Sequence, residues 1–157
     1  MSSALKKKLI MIGCFVLIFA AMFLFDTVRA KTFHIEVVEM TPNPAIADGQ
    51  TPVNVQVKLV NWKDKPVEGH SLFALPLTGG MFQSSREITD ENGMVNFVYH
   101  PYKASSVTKL QDAVLSFADE SNSVFIEIGT RAEVTLPLLE PEKETISKDL
   151  LNGIFGN

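Results

Sequence analysis

The strongest pattern in the chain lies at Pro52–Asn61, PVNVQVKLVN, where Val53, Val55, Val57 and Leu59 alternate with Asn54, Gln56 and Lys58. Period-two alternation puts one face of an extended segment in a core and the other in water, and β-branched residues suit it, so this is a half-buried strand. Phe33, Ile35 and Val37 alternate with His34 and Glu36 to give an earlier strand, which Thr41-Pro42-Asn43-Pro44 interrupts. Proline has no ladder donor, so two prolines cannot sit in a central strand. Ser71–Leu75, Met94–His100, Ala113–Ala118, Val124–Ile128 and Ala132–Leu136 are further strand segments, with Val95, Phe97 and Tyr99 on one face of the second. Turn signals such as DKPVEG (Asp64–Gly69), ADESNS and GTR separate them. Short strands at this spacing predict an antiparallel β-sandwich rather than βαβ units.

The two ends of the chain follow other periods. Leu9–Phe25, LIMIGCFVLIFAAMFLF, is apolar throughout and follows Lys6, Lys7 and Lys8. As a helix its 17 residues span roughly 25 Å at about 1.5 Å each, near the lower limit for crossing a bilayer. Two readings stay open: an uncleaved anchor, or a secretory signal cleaved after Ala30, since Val28-Arg29-Ala30 has small residues at the two positions that matter. In both, the lysines hold the N-terminus in the cytoplasm, so the chain after about Lys31 is exported. The protein is thus expected at the cell membrane as a single-pass chain, or secreted. Cys14 is not placed for lipidation, because eleven apolar residues (Phe15–Phe25) follow it and a lipidated cysteine ends such a run. At the other end, Pro141–Phe155 predicts a short amphipathic helix. Proline suits its first turn and acidic residues follow. Ile146, Leu150 and Ile154, with Leu151 and Phe155 slightly off-axis, form its apolar face. The expected organisation is a membrane or signal segment over 1–30, a sandwich over 31–138 and an amphipathic tail over 139–157.

Composition narrows the partners. Of 14 basic and 18 acidic residues, Lys6, Lys7, Lys8, Arg29 and Asp26 precede Lys31, which leaves 10 against 17 and a net charge of −7 on the exported part. That balance argues against nucleic acid and against docking on anionic lipid. Cys14 is the only cysteine, so no disulfide or cysteine-based metal site is available beyond it. The core must be held by burial alone, which a chain of about 100 residues can achieve.

Several motifs then appear in order: NPAIADGQTPVNVQVKLVNWKDKPVEG (Asn43–Gly69), GGMF (Gly79–Phe82) and TDENGMVNFVY (Thr89–Tyr99). This order resembles a bacterial Ig-like domain of the invasin/intimin type (Big-1), and the resemblance covers roughly Phe33–Leu136. It implies an immunoglobulin-like sandwich, no enzymatic activity and no cofactor, and a spacer, adhesin or interaction module at a cell surface.

The candidate chemistry is sparse. Asp90-Glu91-Asn92-Gly93 is a hairpin turn, since Asn-Gly supplies the positive φ a tight turn requires, and it lacks the register of oxygens a calcium loop needs. His34, His70 and His100 have no helical partner at metal-ligand spacing. Leu75-Pro76-Leu77-Thr78-Gly79 spells a wall-sorting signal, but no second apolar run follows it and half the exported domain does, so it is not read as one, and Gly79-Gly80 makes a loop. Candidate interaction residues are the lone Trp62, Met81, Phe82 and Tyr102 in loops, and Ile146, Leu150 and Ile154 in the tail. If the loop residues share one end of the sandwich, they form an apolar patch. The expected function is a non-enzymatic, membrane-anchored extracytoplasmic module for protein–protein interaction or adhesion. The alternative is an accessory subunit of a membrane or surface assembly such as a secretion, pilus or transporter complex.

Overall fold

The computed structural model describes residues 3–122, 124–125 and 129–141. The tail helix, with Ile146, Leu150 and Ile154, lies outside them, as does most of the strand expected over Val124–Ile128. A helix, α1 (Ser3–Ala30), precedes ten strands: β1 (Phe33–Thr41), β2 (Ala45–Ile46), β3 (Val53–Asn61), β4 (Ser71–Pro76), β5 (Met81–Phe82), β6 (Arg86–Ile88), β7 (Met94–His100), β8 (Ala113–Asp119), β9 (Arg131–Leu136) and β10 (Leu138–Leu139). The helix runs well past both ends of the Leu9–Phe25 run. Over Lys6–Ala30 it is long and apolar enough to cross a membrane.

The strands form two antiparallel sheets in the orders β1-β3-β7-β5 and β6-β4-β8-β9, with β2 and β10 as a small parallel pair. Within them β1-β3-β7 and β4-β8-β9 match the A-B-E and C-F-G strands of the immunoglobulin arrangement, and β5 and β6 are short edge strands added to the two sheets. The alternation in the sequence fixes the inner faces. Val53, Val55, Val57 and Leu59 of β3 are fully buried, and so are Leu115 and Phe117 of β8. Phe97 and Tyr99 of β7, beside β3 in the first sheet, face the β8 residues across the core. The centre is aromatic: Phe97 and Phe117 are 5.5 Å apart across the two sheets, and Phe82 lies 5.3–5.9 Å from Phe97, Tyr99 and Phe117. Such tilted and edge-on rings add to simple area burial. In β1 the register shifts between Val37 and Glu39, so Val38 turns out to solvent and Met40 packs on the core again.

Without a disulfide, the two sheets are joined at both sides by backbone that changes sheet. After the prolines the chain crosses from the β1 edge, and Ala45-Ile46 pairs with Leu138-Leu139 beyond β9. On the other side Met81-Phe82 pairs with β7, and four residues later Arg86–Ile88 pairs with β4. Met81 and Phe82 therefore belong to a strand, not to the loop expected of them. Phe82 turns inward into the aromatic cluster. A two-residue strand carries no periodicity, and its pairing is set by β7, so its own sequence does not mark it.

The Asp90–Gly93 turn forms as expected. Asp90 Oδ1 accepts from the N–H groups of Asn92 and Met94, Gly93 has φ +70°, and the N–H of Leu59 donates to Gly93 O at 2.8 Å. The acidic cluster is a turn whose carboxylate is spent on its own backbone.

Candidate functional site

Strand direction sorts every loop to one of two ends. The end next to α1 carries the β3–β4 loop, the β6–β7 turn and the β8–β9 loop. The far end carries residues 42–52, 77–80 and 101–112, and the chain leaves it after β10.

At the near end, α1 is clamped to the sandwich. The Asp26 side chain is completely buried, and its two oxygens accept from the backbone N–H groups of Val124 (3.2 Å) and Phe125 (2.7 Å). Charge-assisted bonds to two consecutive amides are what a buried carboxylate requires. The rings of Phe25 and Phe125 meet edge to face at 5.8 Å. Thr130 Oγ1 donates to Ala30 O at 2.6 Å, and the N–H of Trp62 donates to Thr32 O at 2.8 Å. Trp62 is 67% exposed, with Lys63 Nζ 4.4 Å above its ring.

The near end also holds the most constrained polar group among the described residues outside α1. Asp119 is buried. Its Oδ2 lies 2.9 Å from His70 Nδ1, and its Oδ1 accepts from Ser121 N–H. The hydroxyls beside this pair also accept from backbone: Thr89 Oγ1 from His70 N–H and Ser121 Oγ from Ser71 N–H. The set ties β4, the β6–β7 turn and the end of β8 together. His34 faces Glu36 at 3.3 Å and Asp64 at 3.5 Å on the surface. Among the described residues no three His, Cys, Asp or Glu side chains are placed to hold a metal ion. Further along the side of the second sheet, Arg86 stacks over Phe73 and forms two bonds to Glu120 at 2.8 and 3.0 Å. The Arg86 bonds hold the Glu120 carboxyl below its ordinary pKa and raise that of Arg86.

The far end carries an open groove of its own. A groove of about 480 Å³ is lined by Gly80, Met81, His100, Tyr102 and Lys103, among others. Met81 is 65% exposed there, and Leu77 (50%) and Val107 (90%) are exposed in the neighbouring loops. Tyr102 is half-buried because its hydroxyl organises the long 101–112 loop, accepting from Gln111 N–H and donating to Gln111 O, both at 2.7 Å. The Leu75–Gly79 stretch is structural: Thr78 Oγ1 accepts from Val114 N–H, and Gly79 O accepts from the buried Tyr99 hydroxyl at 2.7 Å.

The structure thus divides the candidate residues. Met81 and Tyr102 share the far groove, Phe82 is turned into the core beneath it, and Trp62 stands at the opposite end. They form no single patch. Leu77 and Val107 join Met81 at the far end and were not legible as surface residues. The signal in the sequence is weak: an apolar residue isolated among Ser105, Ser106 and Thr108.

No family model and no curated protein matches the chain. Among solved structures, the D0-D1 domain of intimin superposes with a TM-score of 0.47 at 20% identity, over 69% of this chain and 50% of that one. The chain is structurally similar to the Ig-like domains of intimin. It spans about half the length of the D0-D1 and D00-D0 fragments. A 282-residue C-terminal intimin fragment, solved in complex with the intimin-binding domain of the translocated intimin receptor, gives 0.44 at 24% identity over 64% of this chain and 32% of that one. A conjugative transposon lipoprotein from Bacteroides eggerthii gives 0.43 at 14% identity, over 67% of this chain and 96% of its own. The Ig-like assignment itself rests on the strand order of the two sheets.

Proposed function

We propose that the chain is a non-enzymatic, membrane-anchored extracytoplasmic Ig-like module that mediates protein–protein interaction or adhesion at the bacterial cell surface, with its contact surface at the far loop end. One observation carries this reading: α1 enters the sandwich at the β3–β4 and β8–β9 loops and is bonded there through Asp26 and Thr130. In antibody variable domains the corresponding loops bind the ligand. Here a membrane helix occupies that end, so the opposite loops face outward. Exposed Leu77, Met81 and Val107 beside an open groove are the kind of surface a partner covers.

The same exposed apolar residues support the second reading, a subunit of a larger assembly, because a permanent partner would shield them. Crosslinking in native membranes followed by pull-down tests both. A stoichiometric membrane partner, lost on Leu77→Asp, Met81→Asp and Val107→Asp, favours the assembly. A chain that purifies alone yet binds cells through the same residues favours adhesion. Binding untouched by all three substitutions refutes the far-end assignment.

A further inference from the structure

Membrane helices rarely end in a buried aspartate. In this chain the apolar run stops at Phe25 and Asp26 follows at once, yet the carboxylate faces neither lipid nor water, because the amides of Val124 and Phe125 enclose it. The consequence is geometric. The loop carrying Val124 and Phe125 is held at the height where the apolar run ends, and both side chains are about half exposed, with Phe125 at 53%. The surface of the helix continues past Asp26 as a mostly apolar groove lined by Leu24, Phe25, Val28, Arg29 and Thr32. The Leu9–Phe25 run spans roughly 25 Å against a hydrocarbon core of about 30 Å, so it is a few ångströms short. Val28, Val124 and Phe125 supply apolar surface at the end where it is lacking. Trp62 is bonded to Thr32, in the turn that follows the helix end at Ala30, itself roughly 6 Å beyond Asp26 at helical rise, with Lys63 against its ring. That is the depth of the headgroup layer, where Trp and snorkelling Lys are favoured.

We propose that the near end of the sandwich is a lipid-seating collar: Val124 and Phe125 enter the outer edge of the hydrocarbon, Trp62 lies among the headgroups, and Asp26 is the positioning residue that holds the loop at that depth. The occupant is a lipid surface without net charge, because the collar is continuous with the membrane helix and passes from Val124 and Phe125 to Trp62 along it, while the Trp62 loop carries both Lys63 and the exposed Asp64. The inference rests on α1 being a retained anchor. It adds that the sandwich is seated on the bilayer and does not swing from a flexible tether, so the far loops are presented in a fixed direction.

Trp62 is the only tryptophan in the chain, so its fluorescence reports this site alone. The full chain is reconstituted in phosphatidylcholine vesicles, which carry no net charge, washed in alkaline carbonate and floated. Spin-labelled lipids then carry the label either near the headgroup or at the acyl terminus. The collar requires a blue-shifted Trp62 that loses roughly half its intensity to the headgroup-side label and little to the terminal one. Trp62→Phe combined with Phe125→Trp should move the greater quenching to a deeper label. Added to that double variant, Asp26→Ala should leave flotation intact while quenching of the tryptophan at position 125 falls by at least about half. A chain that fails to float overturns the anchor, and the collar with it. A chain that floats with a red, unquenched Trp62 overturns the collar alone. Blue but unquenched emission assigns this end to a protein partner or a second copy and refutes lipid. Quenching unchanged in Asp26→Ala removes the aspartate's positioning role.

Discussion

Gly93→Ala gives the sharpest test of how the sandwich is closed. Gly93 sits at φ +70°, and a Cβ there would lie 2.5 Å from Leu59 O, 3.0 Å from Val67 N and 3.2 Å from Pro66 Cα. The left-handed conformation alone costs a side-chain-bearing residue about 1–2 kcal/mol. The clash adds to it, because the crowding atoms are backbone and cannot rotate aside. The turn must retreat from β3, which stretches the Leu59 N–H bond to Gly93 O (2.8 Å) and the Val67 N–H bond to Leu59 O (3.1 Å). Leu59 is fully buried, so leaving one of these groups unpaired costs a further 1–3 kcal/mol or so. The sum is about 2–5 kcal/mol. Gly69 provides the control: its φ is +78°, but no atom lies within 4 Å of its virtual Cβ. Gly69→Ala should lose only the conformational part, about 1–2 kcal/mol. Urea unfolding of the detergent-solubilised full chain, read by pulse proteolysis, should separate the two variants by about 2 kcal/mol. Equal midpoints would show that the close approach of the turn to β3 contributes nothing, and the packing argument for this hairpin would fail.

Other consequences are checked in the same assay. Phe97→Ala should cost about 3–5 kcal/mol, since it opens a cavity between Phe82 and Phe117 that rigid sheets cannot collapse; a loss under about 1 kcal/mol would mean the aromatic cluster is not the core's centre. Burial, and secondarily the neighbouring Tyr102, pushes the Tyr99 phenol up from 10.0 to about 12. Its folded value is raised, so its contribution is intact below pH 10 and is lost as pH rises towards 12, by about 2–3 kcal/mol. Tyr99→Phe should cost about 1 kcal/mol at neutral pH through the lost bond to Gly79 O and should flatten that alkaline decline; a parallel decline in both proteins would contradict it. Burial tends to raise the Asp48 carboxyl, but the Thr51 hydroxyl and the Thr51 and Gln50 amides outweigh it and hold the group below its ordinary 3.8. A depressed folded value stabilises above the ordinary pKa and is lost as pH falls through the folded one. Asp48→Ala should therefore cost about 1–2 kcal/mol near neutrality, and its deficit should close on acidification below about pH 4; a deficit that persists in acid would refute the charge-assisted account.

The sequence by itself determined what depends on neighbours in the chain. Alternation at Val53–Leu59 and Val95–Tyr99 is a local property of an extended backbone, so both strands and their buried faces could be read directly. The Asn92-Gly93 turn and the Leu9–Phe25 run are legible for the same reason, since φ preference and hydrocarbon length belong to short segments. Tertiary structure decided everything that depends on a partner distant in sequence. Met81-Phe82 is a strand only because β7 offers it a ladder, and Phe82 is core only because Phe97 and Phe117 converge on it. Trp62 and Met81 look alike as lone apolar residues near turns, yet one traverse of β4 puts them at opposite ends of the sandwich. Asp26 looks like the polar stop at the end of an apolar run. Its role comes from amides 98 and 99 residues away, and one-dimensional patterning carries no information about contacts at that separation.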